Sequence, residues 1–200
     1  AALETAEAVV LGSGVLADEA ARALRRSGFG NVESRPIDAA PPPDAFVVVA
    51  PDRSEVKELD ALAHRRLDGA GPWLQLLPFD GRRVVVGPLF VPGTTGCRRC
   101  FVMRRAACSG YEEDFDVVEA APLRAVAPSA VATAAAALGA VVALRWSTTH
   151  DPSLPGSFYA LEVGTILTLS HHRLLRVPRC TSCGPPARAV PSPWHQAAAS

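Results

Sequence analysis

Val91-Pro92-Gly93-Thr94-Thr95-Gly96-Cys97-Arg98-Arg99-Cys100, in mid-chain, is answered by Cys180-Thr181-Ser182-Cys183-Gly184-Pro185 near the end. Each stretch carries a C-x2-C knuckle, the spacing at which two thiolates grip one metal ion. Four thiolates in tetrahedral array are the usual ligand set of a structural zinc site. The flanking glycines and prolines let backbone and sulfur fold around an ion. Cys97, Cys100, Cys180 and Cys183 are therefore the candidate zinc ligands, and a shared ion would staple mid-chain to tail. Two disulfides would suit a secreted chain, but no signal peptide is visible. A redox role is open to either pair alone, and the presence of two pairs weakens it. Four thiolates leave no open coordination position, so the zinc reads as structural rather than catalytic. Cys108 stands apart and reads as a small, partly buried apolar residue.

Composition bounds the rest. The chain has 200 residues, with 20 basic and 20 acidic side chains and zero formal net charge. A dedicated nucleic-acid binder normally shows a basic excess, so nucleic acid is not an expected partner. Apolar residues make up 48%, enough for a real core. No stretch reads as long and uninterrupted enough to span a membrane. One domain over residues 1–185 and a loose Pro- and Ala-rich tail over 186–200 are expected. Ala1 to Glu7 lead almost directly into a strand, as in an excised fragment.

Ala8-Val9-Val10-Leu11 is a short apolar run, read as a buried strand. A helix follows through Asp18 to Ser27, with Ala20, Ala21, Ala23 and Leu24 inward and Gly28 ending it. Asn31 to Ile37 reads as a second strand. Ala45 to Ala50 reads as a third, apolar throughout like a parallel strand covered on both faces. A second helix is predicted from Ser54, as N-cap with Glu58 nearby, to about Leu67. Trp73 to Leu77 and Arg83 to Val86 read as strands around an Asp80-Gly81 turn. Arg98 to Ala107 reads as a short helix and Gly110 to Glu119 as an acidic surface loop. Pro128 to Trp146 reads as a core helix with proline in its first turn. Ser157 to Leu169 and His171 to Val177 suggest a terminal hairpin. The order predicts an α/β fold: a Rossmann-like, open, mostly parallel sheet with helices on both faces.

Gly12-Ser13-Gly14-Val15-Leu16-Ala17 fits G-x-G-x-x-A between strand and helix. The first glycine turns the chain, the second admits a phosphate to the backbone, and the small third residue packs the helix onto the sheet. Asp38 sits about where an acidic residue would meet a ribose. Asp52 ends the third strand at the ligand-binding rim, where it equally suits a cap for the following helix. Gly12, Gly14, Asp38 and Asp52 are thus the candidate nucleotide contacts.

Together these residues resemble the ThiF-type family, the activating enzymes of ubiquitin-like proteins and their bacterial relatives. The resemblance rests on Val9 to Ala17, on Asp44 to Asp52, and on the Pro92 to Cys100 knuckle. It continues through the proline-opened helix from Pro128 to Trp146 and Cys180-Thr181-Ser182-Cys183-Gly184. Within the family, Gly87 to Cys100 looks most like the ThiF-like "ocin" proteins of thiazole/oxazole-modified microcin and thiopeptide pathways. That branch implies a cytoplasmic, non-catalytic partner of a YcaO-type cyclodehydratase, presenting the leader segment of a ribosomal precursor peptide. It also implies homodimers, for which the helix around Ala132 to Leu144 is a candidate surface. Leader binding in this branch usually belongs to an N-terminal winged-helix module, and this chain begins at the Rossmann-type strand.

One departure bears on function. Adenylating members carry a long Asn-Arg-Gln-containing segment after the second strand, whereas Asp38 to Asp44 here holds no basic side chain. Phosphoryl and adenylyl transfer need cations where charge develops, so ATP and magnesium are not expected cofactors. Three readings follow: a zinc-stabilised scaffold, an ATP-dependent adenylating enzyme acting on a peptide or sulfur-carrier C-terminus, and, last, a dinucleotide-dependent oxidoreductase. Adjacent His171 and His172 point to opposite strand faces and are read as surface residues. Arg98 and Arg99 are read as solvating the knuckle rim, and Arg22, Arg25 and Arg26 as an exposed basic helix face.

Overall fold

Alternate residues of the first strand face different helices, and that alternation organises the molecule. The protein is described by a computed structural model over residues 6–67, 71–115, 117, 128–178 and 180–184. Strands are β1 (Glu7–Leu11), β2 (Asn31–Arg35), β3 (Phe46–Val49), β4 (Trp73–Leu77), β5 (Arg83–Phe90), β6 (Ser157–Val163) and β7 (Leu167–Arg173). Helices are α1 (Gly14–Arg26), α2 (Val56–Arg65), α3 (Arg98–Ala107) and α4 (Ser129–Thr149). The sheet order is β2-β1-β3-β4-β5-β6-β7. The first four strands in that order are mutually parallel, and β5, β6 and β7 join antiparallel.

Ala8 and Val10 face one side, with Val48, Leu74, Leu76 and Val86. Helices α1 and α4 cover that face through Ala17, Ala20, Leu24, Ala135, Ala136 and Ala143. Small side chains let these helices lie close. A Cβ on Gly139 would come within 3.1 Å of the Leu76 side chain. Val9, Leu11, Val47, Val49 and Trp73 face the other side, where Leu59 and Leu62 of α2 and Phe101 of α3 meet three of the cysteines. Both faces of the parallel half are therefore dry, as its continuous valine runs foretold.

Helix boundaries depart from the sequence reading at α2 and α4. The second helix begins at Val56 rather than after a Ser54 cap, and a short 3-10 turn precedes it; Asp52 caps that turn in a capping box with Glu55, so of its two readings the cap is the one observed. Pro128 stands outside α4 as its N-cap, and the helix runs past Arg145 to His150, which ends it in left-handed conformation (φ 49°). At 21 residues, α4 is long and apolar enough by length and composition to cross a membrane, longer than the sequence suggested. Here it packs on α1, β4 and β5 within the core. The crossover from β2 to β3 is made without a helix and buries Ile37 against the α2 face. The tail over 186–200 and part of the acidic 110–119 loop lie outside the described residues.

Glycine is required where β1 turns into α1. Gly12 has φ +126°, and a Cβ there would stand 2.2 Å from the Ala50 carbonyl oxygen. Gly28 has φ +94° but open space around it. Gly12→Ala is expected to lose about 3 kcal/mol or more in urea unfolding, combining strain with a backbone clash, and Gly28→Ala about 1 kcal/mol. Equal losses would show that the close approach of β1 and β3 is not a constraint.

Candidate metal centre and the glycine turn

Local hydrogen bonds fold the first knuckle. After β5, the amides of Thr94 and Thr95 donate to the Val91 carbonyl at 3.0 Å, and Val91 N–H donates to Thr95 Oγ1 at 3.1 Å. Cys97 is the N-cap of α3 and Cys100 lies in its first turn, so both sulfurs face one way. A Cβ on Gly96 would meet Cys100 Cβ and Leu174 Cγ at 3.2 Å, so glycine lets the two knuckle segments touch. The second knuckle closes with Gly184 N–H donating to Cys180 O at 2.8 Å. Between β7 and that knuckle the chain is laced down. Arg104 Nε donates to Leu175 O at 2.7 Å, and an Arg176 guanidinium nitrogen donates to Gly93 O at 2.8 Å.

The four sulfurs meet. Cys97 Sγ lies 3.9 Å from Cys100 Sγ and 3.7 Å from Cys180 Sγ, and Cys100 Sγ lies 3.5 Å from Cys183 Sγ. All four fall within 4.8 Å of one another. A tetrahedron with metal–sulfur bonds of about 2.3 Å has edges of about 3.8 Å, so the spacing fits a bound ion. It does not fit a disulfide, whose sulfurs stand about 2 Å apart, and all five cysteines are free. Cys97, Cys100 and Cys180 are buried and Cys183 is partly so. Burial pushes the thiols of Cys97 and Cys100 up from their ordinary range. Burial also opposes ionisation of Cys180, but backbone N–H groups of Cys183 and Ser182 and the neighbouring thiols outweigh it and bring it down to about 7.

Arg98 corrects the sequence reading. It is 6% exposed rather than solvating a rim. Its Nε donates to Asp60 of α2 at 2.7 Å, and another guanidinium nitrogen donates to Gln75 of β4 at 2.7 Å. Gln75, itself fully buried, donates to Gly87 O at 3.2 Å. Arg98 thereby fixes the start of α3, and with it the first cysteine pair, to sheet and helix at once. A central-strand glutamine in an apolar run was the available signal. Cys108 is also corrected: it is exposed. His171 and His172 are surface residues, held by Ser157 and stacked on Phe158 respectively. Arg22, Arg25 and Arg26 are exposed, with Arg22 paired to Glu19.

The glycine turn lies at the opposite end of α2 from the C-terminal residues that line the cysteine region. Gly12 and Gly14 both adopt positive φ, and a Cβ on Gly14 would meet Asp52 Oδ1 at 3.2 Å. Ser13 N–H donates to Glu55 Oε2 at 2.9 Å, and Asp52 N–H donates to the same oxygen at 2.8 Å. Asp52 Oδ2 accepts from Ser54 Oγ at 3.0 Å. The chain's own carboxylate thus takes amides that a phosphate would seek. Sequence reading missed Glu55, although D-x-x-E is itself a capping signature. Asp38 is exposed in the loop after β2, with no hydrogen bond or ion pair to the turn. Beside the turn is a cavity of about 260 Å³ with a largely apolar wall of Val15, Leu16, Pro51, Phe79 and Val131, and among the described residues Arg53 is its one cation.

Fold and site define an open α/β domain tied by two cysteine knuckles. A scan of protein-family models finds no match, and neither does a search of curated proteins. Solved structures do match. A heterocyclase described in complex with substrate and cofactor superposes with TM-score 0.67 at 24% identity, over 92% of this chain and 26% of its own. The heterocyclase TruD gives 0.63 at 25% identity over 92% and 28%. MccB of E. coli, crystallised with AMPCPP and MccA, gives 0.69 at 16% identity over 92% and 68%. The chain spans about a quarter of the length of the two heterocyclases.

The ion pair at α3 is asymmetric, since Asp60 is 66% exposed. Arg98→Ala strands a buried Gln75 oxygen and removes packing, so it is expected to cost about 2–4 kcal/mol in chemical unfolding. Asp60→Ala is expected to cost under about 1 kcal/mol. A mild Arg98→Ala would mean that α3 is anchored by its apolar face alone.

Proposed function

We propose that this chain is a ThiF-like scaffold that serves a YcaO-type cyclodehydratase in the cytoplasm, presenting a ribosomal precursor peptide whose Cys, Ser or Thr residues become thiazole or oxazole rings. The observation that carries the non-catalytic part is the carboxylate of Glu55 on the Ser13 amide. Two acidic groups, Asp52 and Glu55, crowd the turn, and Arg53 faces it with a hydrogen bond already made to Phe79 O at 3.3 Å. A triphosphate brought here would meet repulsion and few cations. The fold likeness to heterocyclases supports the class of pathway, and the MccA peptide in the MccB crystal supports a peptide as ligand. ATP use then belongs to the YcaO subunit.

In this reading Cys97, Cys100, Cys180 and Cys183 hold zinc, which supplies no chemistry beyond joining the two knuckles. The four-sulfur donor set suits zinc, and a cytoplasmic setting keeps the thiols reduced. Self-association is part of the same reading. Val141 of α4 and Leu167 and Leu169 of β7 are exposed apolar residues. Leu167 and Leu169 flank Val163 and Leu161 on the α4 side of the sheet.

A second reading, an adenylating enzyme, is favoured by two observations: Gly12, Gly14 and Asp52 adjoin one another at the rim, and the MccB neighbour was crystallised with AMPCPP. Calorimetry with ATP and magnesium separates the two. No binding and no pyrophosphate exchange are expected, together with co-purification of a YcaO protein and leader peptide. Measurable exchange would overturn the scaffold reading.

The metal is tested directly. About one zinc per chain and four protected thiols are expected at neutral pH, with loss as pH falls because protons compete for sulfur. Cys180→Ser is expected to lower zinc affinity by orders of magnitude and destabilise the fold. Native protein with no metal and paired disulfides would end the assignment.

A further inference from the structure

A cation-lined cavity lies on the cysteine side of the sheet, away from the glycine turn. A cavity of about 270 Å³ opens between the C-terminal end of α2, the end of β5 and both knuckles. Among the described residues, Arg66, Arg98 and Arg176 line it and no acidic residue does. Arg98 is committed to Asp60 and Gln75. Arg66 donates one guanidinium hydrogen bond, to Gly71 O at 3.0 Å, while its Nε is buried with no hydrogen-bond partner. Arg176 uses a single nitrogen for its bonds to Gly93 O and Thr95 O. Burial lowers the pKa of Arg66, as expected for a cation whose desolvation nothing offsets.

Two explanations compete. A tetrathiolate centre beside the cavity would be anionic and would favour basic neighbours. That accounts for charge but leaves the Arg66 Nε–H bond unmade, and a buried unmade bond to a charged group is expensive. A planar oxyanion completes it, because the guanidinium fork matches two oxygens at once. The remaining wall is apolar, with Leu67, Trp73, Phe90 and Pro92. That wall favours an anion carried on a hydrocarbon stem over a free, strongly hydrated ion. The volume falls below the several hundred Å³ of sites for drug-sized ligands, so it suits one side chain rather than a nucleotide. An adjoining cavity of about 160 Å³ shares Ala63, Leu67, Cys97, Arg98 and Ser182 and continues along α2 toward His64 and Arg99, with Asp60, the ion-pair partner of Arg98, on its wall. Together they make a groove along which an extended chain can lie.

We propose that this cavity binds a carboxylate side chain of a peptide ligand, gripped by Arg66 and Arg176 with its stem against Leu67 and Trp73. The ligand class rests on the reading that the protein presents a peptide; the anion chemistry does not.

The test is a nitrogen-resolved NMR titration of the full-length, metal-loaded protein with a blocked Leu-Glu dipeptide, a blocked Leu-Gln dipeptide and inorganic phosphate. Leu-Glu is expected to shift the Arg66 Nε–H and Trp73 indole signals saturably, with Leu-Gln at least tenfold weaker and phosphate weaker than Leu-Glu. Arg66→Met is expected to remove the Trp73 response and Arg176→Gln to weaken it severalfold, with the ligand-free melting temperature reporting that each variant is folded. Should Arg66→Met not fold, Arg66→Lys keeps the charge, loses the fork, and is expected to bind Leu-Glu about tenfold more weakly. Equal shifts from Leu-Glu and Leu-Gln, no shift from either, or phosphate binding as well as Leu-Glu would each overturn the proposal. Co-purification with a YcaO protein is scored separately on the unsubstituted protein. Its failure while Leu-Glu binds counts against the scaffold reading and not against the site, and co-purification without Leu-Glu binding counts against the site alone.

Discussion

The meeting of four sulfurs from segments 83 residues apart is the constraint on which the second layer of this fold depends. One face of the sheet is closed by α1 and α4 with ordinary alanine and leucine packing. The other face has less to work with. Its β2–β3 crossover brings no helix, and α2 and α3 are each 10 residues long. Three cysteines, Phe101, Phe90 and Leu174 are part of its buried cluster. The knuckles therefore substitute for core volume as well as joining chain segments.

Charge is arranged around that centre in a consistent way. Arg98 reaches inward to a buried glutamine and outward to a largely exposed aspartate, so one side chain spans the boundary between core and water. Arg104 and Arg176 use backbone carbonyls rather than carboxylates as partners, and so hold the strand-to-knuckle segment in place. At the other end of the molecule the logic reverses. Asp52 and Glu55 gather around backbone amides that carry partial positive charge. A turn shaped for an oxyanion from outside is satisfied by one from within. The same geometry that stabilises the start of α2 sets two carboxylates beside the amides of the turn.

The chain alone determined a good deal. Continuous apolar runs located the parallel strands, and α3 was legible to the residue after the knuckle that opens it. The C-x2-C spacing marked the cysteine centre because two sulfurs one helical turn apart must share a side. The limits of α4 were misjudged because nearly every residue along it is small or apolar, so composition gave no edge. What only tertiary structure decided was pairing across distance. That both knuckles fall on one face of the sheet, that Arg98 turns inward to Gln75, and that Glu55 bends back to Ser13 all depend on where β1, β3, β4 and α2 come to rest. Local propensity carries no information about contacts between residues tens of positions apart, and those contacts separate a binding turn from a filled one.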